Sequence, residues 1–425
     1  MKILHINTVE NAGGAGRAAY RLHQGLLRLG HESSMFVLDK KSDDSTVMAF
    51  IASKKLIRRI RRRLLQECLD KTVSRYRKSR PVGYEEFSVE RTAFGADMLS
   101  QLPTFDLVNL HWISGFLDFK SFFEEVAKKV PIIWTLHDMN PFTGGCHYDN
   151  NCGKHTDSCG ACPQLGSTSN RDLSRVVWRR KYNIYKQINP ENFHIVAPSR
   201  WLGIEAQKST LFKRFSVTTI PYGLDTMIFS PQDKQIVRAA LDIPKNARVV
   251  LFIAGSLNNR RKGYEFLFKA LNDLHNLQNV ILVALGVGQS KISSKLAFRH
   301  EGFVENDRLL TLFYNAADIF VIPSMQDNLP NTVLESIACG TPVIGFDIGG
   351  IPDMVRNGVN GALVPPGDVK ALKRAIVRYL KDTSQLNKLA IKCRQIAEEE
   401  YPLQLQAERY ANVYSRLLDN QIDIR

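Results

Sequence analysis

Short apolar runs alternate with amphipathic helical stretches along the chain, and near Pro244 the alternation starts afresh. KILHIN (2–7), SSMFVLD (33–39), DLVNLHW (106–112), PIIWTLHD (131–138), FHIVAPS (193–199) and SVTTIPYG (216–223) read as buried parallel strands, with helices such as 16–30 between them. After a polar stretch, RVVLFIAG (248–255), VILVALG (280–286), FRHEGFV (298–304), DIFVIPS (318–324) and TPVIGFD (341–347) repeat the pattern. Helices from Tyr264, over 307–317 and around Glu335 separate them, and an amphipathic stretch over 401–420 lies beyond both sets. This alternation predicts α/β layers on parallel sheets, because each crossover helix covers a sheet face. At 425 residues the chain exceeds what one core serves, so two facing α/β domains with a cleft between them are expected.

No apolar run reaches the roughly 20 residues that span a bilayer. The opening MKILHIN reads as a first strand and not as a signal peptide, which makes the cytosol the expected compartment. The formal net charge of +15 is uneven. Between positions 54 and 80, twelve Lys and Arg face only Glu67 and Asp70, so ten of the fifteen surplus charges sit in one segment. Within it, KKLIRRIRRRLLQECL sets Leu56, Ile57, Ile60, Leu64 and Cys68 on one helical face with arginines around the rest. A basic amphipathic helix of this kind suits an anionic membrane surface; the plain alternative is a solvated helix packed on its own domain. Nucleic acid is not expected, because no recognisable DNA or RNA module accompanies the patch.

Four of the seven cysteines cluster in GGCHYDNNCGKHTDSCGACPQLG: Cys146, Cys152, Cys159 and Cys162. In a cytosolic chain, thiols at this spacing, with His147 and His155 nearby, point to a structural Zn²⁺ ahead of a disulfide framework. Four reduced cysteines in a Gly-rich loop are the alternative. No catalytic role is expected of them.

In open parallel sheets, ligands sit beyond the carboxyl ends of the strands, so the residues that follow each strand carry the functional information. After the first strand, Gly13, Gly14 and Gly16 allow a close backbone approach and open a helix whose N-terminus favours phosphate. The full G-x-G-x-x-G spacing is absent, so a dinucleotide site is not compelled. His111 and His137 each end an apolar run, and together they offer a polar floor for a substrate. In GSLNNRRKGYEFL, Arg260, Arg261 and Lys262 precede a helix and are able to meet a diphosphate. In DNLPNTVLESIACG, Asp327 follows a strand, Asn331 or Thr332 is placed to cap a helix, and Glu335 lies about one turn in. A cap accounts for where that helix starts but not for a carboxylate at 327.

PSMQDNLPNTVLESIACGTPVIGFDIGGIPDMVRNGVNGALVPPGD resembles the donor-site signature of family 4 retaining glycosyltransferases of the GT-B fold: an acid, seven residues, Glu, then an A-x-G-x-P-V strand and a G-G turn. The likeness extends over most of the chain through LRLGHE, TLHD, APSRW, IPYGLD, RKGYEFLFKAL and EGFV…AADIFVIPS, in matching order and spacing. It implies an N-terminal acceptor-side domain of 1–225 plus 401–425, with the C-terminal helix crossing back to it, and a donor domain of 226–400. By the same resemblance Glu335 holds the ribose of a nucleotide sugar and Asp327 the hydroxyls of the transferred ring. Asn328, Leu329 and Pro330 line the sugar pocket, and Gly302, Phe303 and Val304 pass beneath the base. Lys262 neutralises the diphosphate with the Gly14 amide, and His137 faces the sugar across the cleft. Two departures stand out: the first acid is Asp and not the usual Glu, and Ser256 stands where the family often has Arg, so Arg260 or Arg261 must supply that charge.

The activity implied is retaining transfer of a hexose-type sugar from a nucleotide-diphosphate donor to a lipid-linked or oligosaccharide acceptor, in cell-surface polysaccharide biosynthesis. It requires no cofactor, and no D-x-D metal motif stands in the donor stretch. The protein is expected on the inner face of the cytoplasmic membrane, held through residues 54–63. The competing readings are a GT-B nucleotide-sugar epimerase and, in a different class, a non-enzymatic basic membrane or nucleic-acid binder.

Overall fold

A computed structural model describes residues 1–272, 278–288 and 297–422. The chain divides into two compact units, Met1–Pro221 with Gln406–Arg425, and Tyr222–Leu405.

The N-terminal unit is built on a parallel sheet of seven strands: β1 (Lys2–Val9), β2 (Glu32–Asp39), β3 (Val47–Ala49), β4 (Leu107–Leu110), β5 (Ile132–Thr135), β6 (Phe193–Ala197) and β7 (Ser216–Thr219). Their order is β3-β2-β1-β4-β5-β6-β7, so the winding reverses between β1 and β4. β4 (LVNL) and β5 (IIWT) are buried at every residue, which is why these runs are apolar on both sides instead of alternating. One face rests on a cluster of Phe119, Phe123, Trp134, Tyr185, Phe193 and Phe212. The other is covered by the terminal helix Leu403–Ile422, whose Tyr410 and Tyr414 are buried with Ile3, Leu107, Ile133 and Val196. Each tyrosine hydroxyl finds a strand partner, Tyr414 accepting from Asn109 Nδ2 (2.7 Å) and Tyr410 meeting Thr135 Oγ1 (3.1 Å). Buried hydroxyls need such partners.

The second unit has six parallel strands: β8 (Arg248–Ser256), β9 (Val280–Val287), β10 (Ala297–His300), β11 (Ile319–Ile322), β12 (Val343–Phe346) and β13 (Gly361–Val364). They run β10-β9-β8-β11-β12-β13, so this sheet reverses between β8 and β11. Both sheets have the doubly wound order in which crossover helices cover both faces and a crevice opens at the reversal. Side-chain caps start the helices where the sequence provides them: Asp118, Asp172, Ser199, Asn306 and Asp368 each accept a backbone N–H from the first turn. The helix Asn331–Ala338 is different. Its N-cap is Pro330, with no side-chain cap, so neither Asn331 nor Thr332 has the expected capping role.

The basic helix runs over Leu56–Ser74 with no residue buried. Its apolar stripe faces solvent, with Ile57 81% and Leu64 62% exposed. Among the described residues no helix is long and apolar enough to cross a membrane.

Candidate functional site

In the second unit, the loops that follow the two strands flanking the reversal are laced together. After β8, residues 260–262 form a short 3-10 turn that ends at Gly263 in the left-handed region (φ +69°). A Cβ there would lie 1.8 Å from the Pro323 carbonyl, so only glycine lets the basic turn pack against the loop after β11. Met325 N–H donates to Arg261 O (2.7 Å), and the Arg261 guanidinium donates to Gln326 O (2.7 Å). Asp327 is held from the other side. Its carbonyl accepts from Gly350 N–H (3.1 Å), and Gly349 (φ +61°) has room for no Cβ against it.

The Asp327 carboxylate is buried in this junction. Oδ2 takes Lys262 Nζ at 2.6 Å and the Ser324 hydroxyl at 3.1 Å; Oδ1 lies 3.3 Å from the Arg261 guanidinium and accepts from Asn328 N–H at 3.2 Å. Burial alone would raise its pKa, but Lys262 and then Arg261 outweigh that and hold it below the usual carboxylate range. The residues assigned from sequence to a sugar (Asp327) and to a diphosphate (Lys262) are therefore direct partners here. Of the two arginines weighed as stand-ins for a charge at position 256, Arg261 is the one turned into the carboxylate.

Glu335 is buried one turn inside its helix, where its Oε2 accepts from the Tyr314 hydroxyl (3.0 Å). Asn328, Leu329 and Pro330 are buried between the two acids. The strip Gly302, Phe303, Val304 leaves β10 and is tied to the end of β9 by Gly286 N–H on Gly302 O (2.6 Å), with Phe303 exposed. Sequence reasoning missed Ser324 and Tyr314. Ser324 stands two residues past the end of β11, which is a usable signal; nothing local marks Tyr314.

In the N-terminal unit, Gly14 lies in the first turn of the helix Gly13–Arg28 after β1, and His111 and His137 lie just past β4 and β5. These histidines belong to a buried chain with His5 of β1: His5 Nδ1 meets His111 Nε2 at 2.9 Å, and His111 Nδ1 meets His137 Nε2 at 3.0 Å. Burial depresses all three, His137 to about 4, so each ring is neutral at pH 7. Asp138, next in sequence to His137, has other partners. It turns to His147 Nδ1 (2.5 Å) and Trp112 Nε1 (3.0 Å). Lys181, fully buried, reaches the Asn140 and Thr143 carbonyls and so fixes the segment after His137; burial lowers its pKa to about 8.

The four clustered cysteines are free thiols. They are near enough to raise one another's pKa, with burial the larger cause, and Cys159 Sγ accepts from Gly144 N–H (3.2 Å). Yet among the described residues no three His, Cys, Asp or Glu side chains are arranged to hold a metal ion.

Residues 247–382, which contain the whole laced junction, match the family model described as Glycosyl transferases group 1. The chain carries a group 1 glycosyltransferase domain. It is 26% identical over 317 residues to an uncharacterized glycosyltransferase of Methanocaldococcus jannaschii, a match covering 68% of this chain and 78% of that protein. It is 28% identical over 187 residues to the putative teichuronic acid biosynthesis glycosyltransferase TuaC of Bacillus subtilis, covering 44% and 46%. The solved structure of Anabaena HepE in complex with UDP-glucose superposes with a TM-score of 0.64 at 16% identity, over 98% of this chain and 99% of that one. The fold is the GT-B pair of parallel-sheet units, and the group 1 match lies in its second unit.

Proposed function

We propose that this glycosyltransferase moves a hexose-type sugar from a nucleotide-diphosphate donor, with retention, onto a lipid-linked or oligosaccharide acceptor in surface-glycan synthesis. The observation that carries this reading is the meeting of Asp327 with Lys262 and Arg261 beside the β8/β11 reversal, with Glu335 on the adjoining helix. Two cations held at a sheet crevice suit a diphosphate leaving group, whose negative charge grows as the glycosidic bond breaks. Pre-placed cations lower that barrier because they need no reorganisation during the reaction. Bond cleavage leaves oxocarbenium character on the sugar, as in other glycosyl transfers. Glu335, steadied by Tyr314, is proposed to take the ribose hydroxyls. Asp327 is proposed to set the two cations and to accept from the sugar. Gly302, Phe303 and Val304 are proposed to line the base, and Asn328, Leu329 and Pro330 the sugar. Gly14 and His137 keep the roles that the family resemblance gives them. The acceptor class is supported by the likeness to TuaC, and the donor class by the likeness to HepE, solved with UDP-glucose. Membrane association through residues 54–63 belongs to the same reading.

A calorimetric screen of UDP-, GDP- and ADP-sugars tests the donor claim: one series binds, and Glu335→Ala loses most of that binding. Product analysis by NMR then reads the anomeric configuration. An epimerised nucleotide sugar formed without acceptor, or an inverted product, would overturn the proposal.

A further inference from the structure

The basic helix Leu56–Ser74 is mounted the wrong way round for a helix of a water-soluble domain. Such a helix normally turns its apolar stripe to the core and its charges to water. Here Leu56, Ile57, Ile60 and Leu64 face solvent, while Arg58, Arg61, Arg62, Leu65 and Leu69 line a cavity on the domain side, Arg58, Arg61 and Leu65 remaining exposed there. The helix is tied down at its ends, by Arg58 on Asp97 (2.6 Å) near one and by Val73, packed against the cluster of Phe87, Leu165 and Val177, near the other. Between these ties it roofs a cavity of about 1180 Å³ within the N-terminal unit.

The cavity wall is both cationic and apolar. Its apolar lining includes Leu65, Leu69, Phe94, Phe123, Ile184 and Ile188. Its acids have neighbours in the wall: Asp97 meets Arg58, Glu124 meets Lys120 (3.9 Å), Asp118 accepts from the Ser121 amide that it caps, and Glu90 meets Arg180 through Oε1 (3.3 Å), its buried Oε2 having no hydrogen-bond partner among the described residues. Arg62 donates to the Ser53 carbonyl (3.3 Å). Among the described residues, Arg61, Arg91 and Lys128 form neither an ion pair nor a side-chain hydrogen bond. Seven Lys and Arg against four acids line the partly apolar chamber, with Arg61, Arg91 and Lys128 exposed at its wall, a surplus of positive charge that an anionic head with an apolar tail would balance. Arginine suits phosphate oxygens in particular, because its planar fork pairs with them two at a time.

We infer that this cavity holds an acidic phospholipid of the membrane surface, its phosphate on Arg61, Arg91 and Lys128 and its chain along Leu65, Leu69 and Phe94, while the outward stripe seats in the bilayer interface. The inference rests on the membrane-facing reading of the enzyme. It adds to that reading a defined lipid site in place of a diffuse basic surface.

The test is flotation of the full-length protein with vesicles of phosphatidylcholine, with and without one third phosphatidylglycerol, at about 0.15 M salt. Binding is expected only with phosphatidylglycerol. Arg61→Gln with Arg91→Gln should weaken it about tenfold or more, each cation near an anionic surface being worth roughly a factor of five. Arg59→Gln with Arg63→Gln makes the same charge change at arginines outside the cavity and should cost clearly less. Ile57→Ser with Ile60→Ser should also lose vesicle binding. Circular dichroism confirms that each variant is folded, and native mass spectrometry of protein eluted from phosphatidylglycerol vesicles should show one retained lipid per chain. Equal losses from the two arginine pairs, equal binding to both vesicle types, or stabilisation by inorganic phosphate without vesicle binding would overturn the lipid site. Donor turnover with a soluble acceptor is measured in parallel: its survival when vesicle binding fails would sink the lipid site alone, and its absence in wild type would sink the enzyme reading alone.

Discussion

Replacing Asp327 by asparagine removes one negative charge from a buried junction of two cations and leaves its shape unchanged. In the native protein the carboxylate meets Lys262 at 2.6 Å and Arg261 at 3.3 Å, and takes two further hydrogen bonds from Ser324 and Asn328. Asparagine keeps the acceptor oxygen but leaves Lys262 and Arg261 facing an uncharged amide. Breaking a buried pair by removing one partner costs about 3–5 kcal/mol. The Lys262 side chain is 22% exposed and reaches water, which puts the loss near the lower end, ~3 kcal/mol. For a unit of this size that lowers Tm by about 6–12 °C. The same change frees the cations for an anion. Inorganic pyrophosphate, which in the native protein would have to displace Asp327 from these cations, should therefore bind the variant more tightly and restore much of its Tm, while sugar transfer falls. Scanning calorimetry with and without pyrophosphate measures both effects, and a transfer assay gives the third. In wild type the pH dependence has a fixed sign. Because the folded carboxyl lies below its unfolded value, its stabilisation is present above the usual carboxylate range and is lost as pH falls through the folded pKa. Unchanged stability in Asp327→Asn together with weaker pyrophosphate binding would refute the reasoning.

Three further outcomes follow from the geometry. His5 Nε2 is buried with no partner among the described residues, and a bare lone pair there costs less than an orphaned N–H; His5 then donates from Nδ1 to His111, and His111 from Nδ1 to His137. Nitrogen NMR of ¹⁵N-histidine protein should accordingly show His137 protonated at Nδ1 at pH 7, and an Nε2–H signal would reverse the chain. Lys181, lowered by burial to about 8, penalises the fold while it is charged, so stability should rise between pH 8 and about 10.5, by up to ~3 kcal/mol. Urea titrations of wild type and Lys181→Met across that window should differ by this rise, and parallel curves would contradict it. Cys68 is the exposed thiol, so a thiol reagent should label it quickly in the native protein, with Cys146, Cys159, Cys162, Cys339 and Cys393 labelled only on unfolding; fast native labelling of the buried five, followed by peptide mass spectrometry, would contradict the packing.

The long apolar strands and the helices between them were legible because burial on both faces leaves a continuous apolar run. β3 and β13 were not. Val47–Ala49 is three residues long, and Gly361–Val364 begins with glycine, so neither carries a period; both exist because a neighbouring strand supplies their pairing. Strand ends were overextended for a related reason. PIIWTLHD is apolar to Leu136, but β5 stops at Thr135, and beyond it His137 and Asp138 turn to different partners. Residue type shows that a histidine or an aspartate is present, and only the fold shows which way it turns. The basic helix shows the same limit on a larger scale. Its two faces were readable from the spacing of Leu56, Ile57, Ile60 and Leu64, but which face the domain would take was not, because the contacts that hold it come from distant residues, Asp97 at one end and Phe87, Leu165 and Val177 at the other.

The donor junction shows where local pattern ends and nonlocal contact begins. The eight-residue spacing of Asp327 and Glu335 marks a loop and the helix after it, and that much is written in one stretch of sequence. The partner of Asp327 is not, since Lys262 lies 65 residues earlier on the loop after another strand. That partner also gives a reason for aspartate at a position where the family resemblance leads one to expect glutamate. The backbone at 327 is fixed by Gly350 N–H and by the lack of a Cβ at Gly349, so the loop cannot retreat to make room. Lys262 already stands 2.6 Å from the carboxylate, on a turn that Gly263 pins against Pro323. One more methylene would have to displace that lysine or bend away from it, because close-packed junctions absorb added volume poorly. With the shorter acid, the carboxylate sets the cations. With a longer one it would reach past them, so the identity of residue 327 and the packing of the basic turn are a single choice.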